Sequence, residues 1–175
     1  MNKYNIDGVH FDDYFYSYSG TADSEDNFAF TNYNPSSLTR ANWRRNNVDI
    51  LVESIFNKVE AHNELNNKNV KFGISPFGIW KNSSSDPLGS NSRGLESYSA
   101  QYADTYKWIK NGWLHYVLPQ LYWQFDHSTA RFADLVDWWV DVVKDTNVDL
   151  IIGHGFYRYA ETSNNWTAQY EITEQ

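Results

Sequence analysis

Apolar and polar positions change period along the chain, and the changes mark out alternating strands and helices. Ile6 to Asp12 is a short apolar run that ends in acids, which predicts a first strand. From Ala41 to His62, Val48, Leu51, Val52, Ile55, Phe56 and Val59 fall at i, i+3, i+4, i+7, i+8 and i+11, one stripe of a helix. Thr39 is suited to cap its start, and Asn66 and Asn67 end it. Val70 to Ser75 predicts a second strand, followed by a long loop opened by Pro76 and Gly78. A helix is expected from Ser97 to Asn111, with Gly112 as its left-handed stop. His115 to Leu121 reads as a third strand and Thr129 to Asp145 as a third helix, with Phe132, Leu135, Val136, Trp139, Val142 and Val143 on or near one face. Val148 to Ile152 reads as a fourth strand, and Asn164 or Asn165 is placed to cap a final helix. The acidic run Asp23-Ser24-Glu25-Asp26 carries no apolar period and reads as a solvated loop.

Strands separated by segments long enough to hold helices are the mark of parallel βαβ units. The fold class expected is therefore α/β, with parallel (β/α) units of a TIM barrel. The strands end in polar and aromatic residues, as the functional face of such a barrel does. A complete barrel takes roughly 200 residues or more, and four strands close none. The whole of residues 1–175 is expected to be one partial (β/α)8-barrel domain.

Composition narrows the function. The net charge is −8 and the pI about 5.0. No basic stripe is present to neutralise phosphates, so nucleic acid is not an expected partner. No apolar run reaches about 18 residues, so no membrane insertion is expected. Met1 leads almost directly into the first strand, and no signal peptide is read in the chain. Without cysteine there are no disulfides and no thiolate metal sites. Aromatic residues make up 18% of the chain, with eight Trp and thirteen Tyr. Amphipathic rings in that number suit carbohydrate, whose apolar face packs on an aromatic plane, although many must also fill the core.

Several motifs carry a family resemblance. They are Asp7-Gly8-Val9-His10-Phe11-Asp12-Asp13-Tyr14-Phe15-Tyr16, Asn42-Trp43-Arg44-Arg45-Asn46-Asn47-Val48, and Lys71-Phe72-Gly73-Ile74-Ser75-Pro76-Phe77-Gly78-Ile79-Trp80. Pro119-Gln120-Leu121-Tyr122-Trp123 and Ile152-Gly153-His154-Gly155-Phe156-Tyr157 complete the set. In this order they resemble successive motifs of the glycosyl-hydrolase-like family 10 of bacteria, a TIM-barrel group linked to cell-wall and other extracellular glycans. The resemblance implies that the strands are numbers four to seven of a barrel and that the chain is a fragment. It implies a glycosidase, placed outside the cell or in the cell envelope as a full-length protein, and a glycan as substrate.

The chemistry of glycosidic cleavage usually takes two carboxyl groups, one of them a general acid. Asp12 and Asp13 are the candidate catalytic pair. Neighbouring strand residues point to opposite faces, so one of the two would ordinarily face away from the barrel axis, but the backbone splays at a strand end and lets both reach the site. No acid stands at the end of the fourth strand. The second group is then in a loop (Asp86, Glu96, Asp126 or Glu161) or in the missing part of the barrel, or the mechanism is substrate-assisted. In the last case the tandem acids are similar to those of family 84 N-acetylglucosaminidases, with Asp12 orienting a 2-acetamido group and Asp13 giving the proton. Burial and the adjacent charge are expected to raise the acid's pKa. Candidate substrate-binding residues are His10, Tyr14, Trp80, Gln120, Tyr122, Trp123, His154 and Tyr157. Trp80 and Trp123 serve equally well as core, and His10 as a satisfied barrel histidine. No cofactor and no metal are assigned. His10, Asp12, Asp13 and His154 are the right types for a metal hydrolase, the main rival, but match no ligand spacing. Arg44 and Arg45 read as surface ion-pair partners. A non-catalytic carbohydrate-binding remnant is the other alternative. An open sheet of four strands predicts self-association through its uncovered edges.

Overall fold

Four parallel strands lie side by side in sequence order, with β1 paired to β2, β2 to β3 and β3 to β4. The computed structural model describes residues 3–160 and 171–175. The strands are β1 (Gly8–Phe11), β2 (Lys71–Ile74), β3 (Tyr116–Val117) and β4 (Asp149–Leu150). Between β1 and β2 lie α1 (Asp23–Asn32) and α2 (Arg40–Asn66). Between β2 and β3 lie α3 (Ser97–Ala100) and α4 (Thr105–Lys110), and α5 (Phe132–Val143) joins β3 to β4. A 3-10 turn at Phe156–Ala160 and a short helix, α6 (Glu171–Glu174), follow. Sequential order without a reversal is what consecutive units of a (β/α) barrel give, whereas a doubly wound sheet reverses at its switch point. The fold class is α/β with parallel (β/α) units, as the sequence predicts.

The strands are short, but their ladder runs on toward the carboxyl ends. Ser75 N–H donates to Phe11 O, Leu118 N–H to Ile74 O and Ile151 N–H to Val117 O, each at 2.9 Å. Gln120 bridges in parallel to both Phe77 and Gly153. The sheet therefore reaches the acids at the end of β1 and holds the polar residues after β3 level with them.

Alternation sorts the two faces. Phe72, Ile74 and Val117 are fully buried under the helices, with Val48, Val52, Val59, Trp108, Leu135 and Trp139 against them. The opposite face, which in a barrel is the lumen, carries His10, Gly73, Tyr116 and Asp149 in one register row. The Tyr116 ring lies across Gly73, where a Cβ would come within 2.3 Å of it. That close approach requires glycine.

The helices deserve their bounds for local reasons. Thr39 caps α2 by accepting from Asn42 N–H at 3.4 Å, and Asn67 ends it at φ 49°. Asn63 clamps the turn into β2 by bonding both the N–H and the C=O of Val70. Asp49 on α2 accepts from the Trp108 indole at 2.6 Å and from Lys107 at 2.7 Å, tying α2 to α4.

Several expectations are corrected. The acidic run at Asp23 to Asp26 is the first turn of α1 and not a loop. Arg44 is not on the surface: it is buried and forks onto Asp26, Nε to Oδ2 at 2.6 Å and Nη2 to Oδ1 at 2.9 Å. The single helix expected over 97–111 is broken into α3 and α4, because Tyr102 takes a left-handed φ of 53° and Asp104 caps a new start. Leu51 is exposed rather than on the buried stripe. The final helix expected after Asn164 or Asn165 starts outside the described residues.

Candidate active site

The backbone separates the two adjacent acids. β1 ends at Phe11, and the chain bends at Asp13 into a turn in which Phe15 N–H donates to Asp13 O at 2.9 Å. Asp12 continues the lumen face of β1 and stays exposed. Its Oδ1 accepts from Asp13 N–H at 2.8 Å and from Gln120 Nε2 at 3.0 Å. Asp13 turns inward and is 3% exposed. Its Oδ2 accepts the phenolic proton of Tyr18. Burial pushes the Asp13 carboxyl above its ordinary value; the Tyr18 hydrogen bond opposes this, and the charge of Asp12 adds to it. Burial and the same carboxylate push the Tyr18 phenol up as well, so that phenol remains a donor. One acid is thus wet and bonded through one oxygen, while its neighbour is dry and biased toward its protonated form.

Below the acids, His10 bonds through both ring nitrogens. Nδ1 meets Tyr116 Oη at 2.9 Å and Nε2 meets Ser75 Oγ at 3.0 Å. The Tyr116 ring also stacks on the imidazole, with centroids 5.7 Å apart. His10 therefore does not bond Asp12, but its exposed ring floors the same face. Gln120 does bond Asp12, and its Nε2 also donates to Ser75 O at 2.9 Å. The amide thereby fixes the carboxylate against β2.

Rings surround the acids. Tyr122 is half-buried, and its phenol is pushed up by burial first and then by the charge of Asp12. Tyr157 meets Tyr122 edge to face at 5.9 Å, and Tyr14 meets Tyr18 in the same way at 5.6 Å. Tyr14 and Tyr157 are largely exposed, so each offers a ring to a ligand. Trp123 stands one ring farther out, against Phe77, which itself packs on Tyr18. The structure so brings together Asp12, Asp13, Tyr14, Gln120, Tyr122 and Tyr157, with His10 beneath and Trp123 at the margin.

Two proposed binding residues are not brought in. Trp80 is 4% exposed, gives its indole N–H to Asp104 at 3.0 Å and is enclosed by Tyr98, Tyr106 and Trp138. It belongs to the core and offers no face to a sugar. His154 stacks on Phe132 of α5 and bonds Gln175, turning away from Asp12. The loop acids also have other work. Asp86 accepts from Lys81 and Leu88 N–H, and Glu96 from the backbone and side chain of Asn82. Asp126 is exposed beyond β3, and Glu161 lies outside the described residues. Among the described residues no three His, Asp or Glu converge as metal ligands. Tyr18, Ser75 and Tyr116 were not legible as site residues. Tyr116 could have been found from the register, since it faces His10 across a glycine; Tyr18 is positioned by the turn alone.

The family model described as glycosyl hydrolase-like 10 matches residues 1–172. The chain is 42% identical over 163 residues to the glycosyl hydrolase DigH of Escherichia coli K12, covering 93% of this chain and 36% of that protein. It is 38% identical over 178 residues to the glycosyl hydrolase YngK of Bacillus subtilis 168, covering 100% of this chain and 34% of that protein. The chain thus spans roughly a third of the length of these curated relatives. On that match, and with an α/β sheet to agree with it, the chain belongs to the glycosyl hydrolase-like 10 family.

Proposed function

We propose that this domain hydrolyses O-glycosidic bonds in a bacterial glycan whose units carry 2-acetamido groups, such as peptidoglycan strands. The observation that carries the reading is the unequal setting of two adjacent acids, Asp13 dry and Asp12 wet. A general acid must hold its proton at working pH, and burial beside a negative charge gives Asp13 that bias. Asp13 gives its proton to the leaving glycosidic oxygen as the bond to the anomeric carbon breaks. The substrate's own acetamido oxygen attacks that carbon and closes a five-membered ring. Asp12 accepts the acetamido N–H and offsets the positive charge that develops there. Water then opens the ring, losing a proton to the Asp13 carboxylate, which restores the starting state. Two acids on one strand end suit this path better than an inverting or double-displacement path, which places its carboxyl groups on opposite sides of the bond. Tyr14, Tyr122, Trp123 and Tyr157 supply the stacking surfaces, and Gln120 holds Asp12 in position. A cell-envelope or extracellular place for the whole protein follows from such a substrate.

The test is reducing-end release from N-acetylated glycan strands and from the same strands after de-N-acetylation. Release from the first alone is expected. Equal release from both contradicts the assisted step, and release from neither contradicts hydrolysis by this chain.

A further inference from the structure

A second cleft, of about 340 Å³, opens between the loop after β2 and the loop after β3. Both loops leave the carboxyl ends of their strands, the end that carries Asp12 and Asp13. Arg93 N–H donates to Thr129 O at 2.7 Å and so fastens one loop to the other. The Arg93 side chain is exposed in the cleft and enters no ion pair among the described residues. Arg131 lies across from it with 60% of its side chain exposed, meeting Asp134 at only 3.8 Å. The second oxygen of Asp134 accepts from Asn91 at 3.0 Å. Two guanidinium groups against one carboxylate leave the wall with an excess positive charge, in a chain whose net charge is −8. Ser84 and Ser128 line the remainder.

A row of rings leads from the acids to this cleft. Tyr18 bonds Asp13, Phe77 packs on Tyr18 at 5.8 Å, Trp123 on Phe77 at 5.5 Å, and His127 on Trp123 at 6.4 Å. The His127 ring in turn accepts from Ala130 N–H at 3.1 Å, inside the loop that lines the cleft. That path is within reach of an oligosaccharide but not of a single sugar.

We infer that the cleft is an accessory subsite for a sugar unit bearing a carboxylate, occupied while another unit of the same strand lies over Asp12 and Asp13. The inference rests on the reading of this domain as one that acts on glycans. A guanidinium takes a carboxylate through two parallel N–H donors, and the exposed Arg93 fork enters no ion pair among the described residues. The serines and Asn91 match ring hydroxyls. The carboxylate has two chemical sources, a lactyl ether on an amino sugar or the C6 acid of a uronate.

The test is calorimetric binding to the 175-residue chain with matched probes. The tetrasaccharide of N-acetylglucosamine and the one in which alternate units are N-acetylmuramic acid differ only in the lactyl groups, and tetragalacturonate supplies the uronate. The lactyl or the uronate probe is expected to bind about tenfold tighter than the neutral one, a preference that falls as salt rises. Whichever acid binds tighter names the source. Arg93→Gln is expected to abolish the preference and Arg93→Lys to restore part of it. Equal affinity for acidic and neutral probes, a preference untouched by Arg93→Gln, or no binding of any probe overturns the inference. Asp13→Asn is expected to keep the preference. Binding without turnover therefore removes only the hydrolase reading, and turnover without an acid preference removes only the subsite.

Discussion

The division of labour between Asp12 and Asp13 is set by one bend in the backbone. Had β1 run through both residues, they would point to opposite faces; it ends at Phe11, and the turn swings Asp13 into a dry site beside Tyr18. The tandem acids were legible as chemistry in the sequence, but their unequal burial was not, because it depends on that turn. The same limit separates Trp80 from Trp123, which look alike in sequence until Asp104 and its neighbouring rings enclose the first. The dry setting has a cost that pH reveals. The folded pKa of Asp13 lies above its ordinary 3.8, so the folded chain binds that proton more tightly than the unfolded one. The stability this contributes is fully present below the ordinary value and is lost as pH rises through the raised one. Asp13→Asn removes the titration, so the variant is expected to gain melting temperature relative to wild type between pH 3 and pH 7. Each 1 kcal/mol of penalty corresponds to about 2–4 °C in a chain of this size. A difference between the two proteins that stays constant over that pH range, measured by thermal denaturation, would contradict a buried, proton-biased Asp13.

At the scale of elements, the apolar pattern located α2, α5 and all four strands: α2, α5, β2 and β3 bury side chains that it records, and Val9, Phe11 and Leu150 of β1 and β4 pack partly buried against the core. It missed α1 for the same reason, because that helix buries no residue. What stabilises α1 is charge: its acidic first turn suits the helix dipole, and Arg40 and Arg44 reach back from α2 to Asp23 and Asp26. No hydrophobic window contains that information, since the partners are 14 to 21 residues apart in the chain. The guanidinium beside Asp26 holds its carboxyl below the usual range. Arg44→Met is expected to cost about 1–3 kcal/mol, because it leaves the partly buried Asp26 with Arg40 as its remaining partner and removes the hydrogen bonds that the guanidinium gives to Asp26 and Tyr102. Adding Asp26→Asn to it should cost less than the sum of the two single changes, because both remove the same contact. Denaturant unfolding of the two single variants and the double one checks this; a cost for Arg44→Met within about 0.5 kcal/mol would show the pair to behave as a surface contact. The break between α3 and α4 was hidden for a different reason. Tyr102 adopts its left-handed conformation without a glycine or asparagine to announce it.

For the molecule as a whole, parallel (β/α) units were readable from the spacing of strands and helices, and the sequential strand order is that of consecutive barrel units. Among the described residues, β1 and β4 form the two edges of the sheet and pair with no further strand. A groove of about 530 Å³ runs along β1 and α2, lined by His10, Asp12 and Tyr14 of the candidate site as well as by Phe11, Phe15, Val48 and Leu51, and Ile151 is exposed on the lumen face. Open edges beside apolar surface favour association. Sedimentation velocity on the 175-residue chain is expected to show concentration-dependent oligomers; one compact monomer at all concentrations would contradict that expectation. The central claim is that Asp13 protonates the leaving group while Asp12 assists, and leaving-group dependence tests it most directly. Reducing-end release by Asp13→Asn from glycan strands is predicted to fall about 10²–10⁴-fold below wild type. An aryl N-acetylglucosaminide whose phenolate leaves without protonation should lose far less. Equal losses on both substrates, or no release by the wild-type chain, would contradict the account.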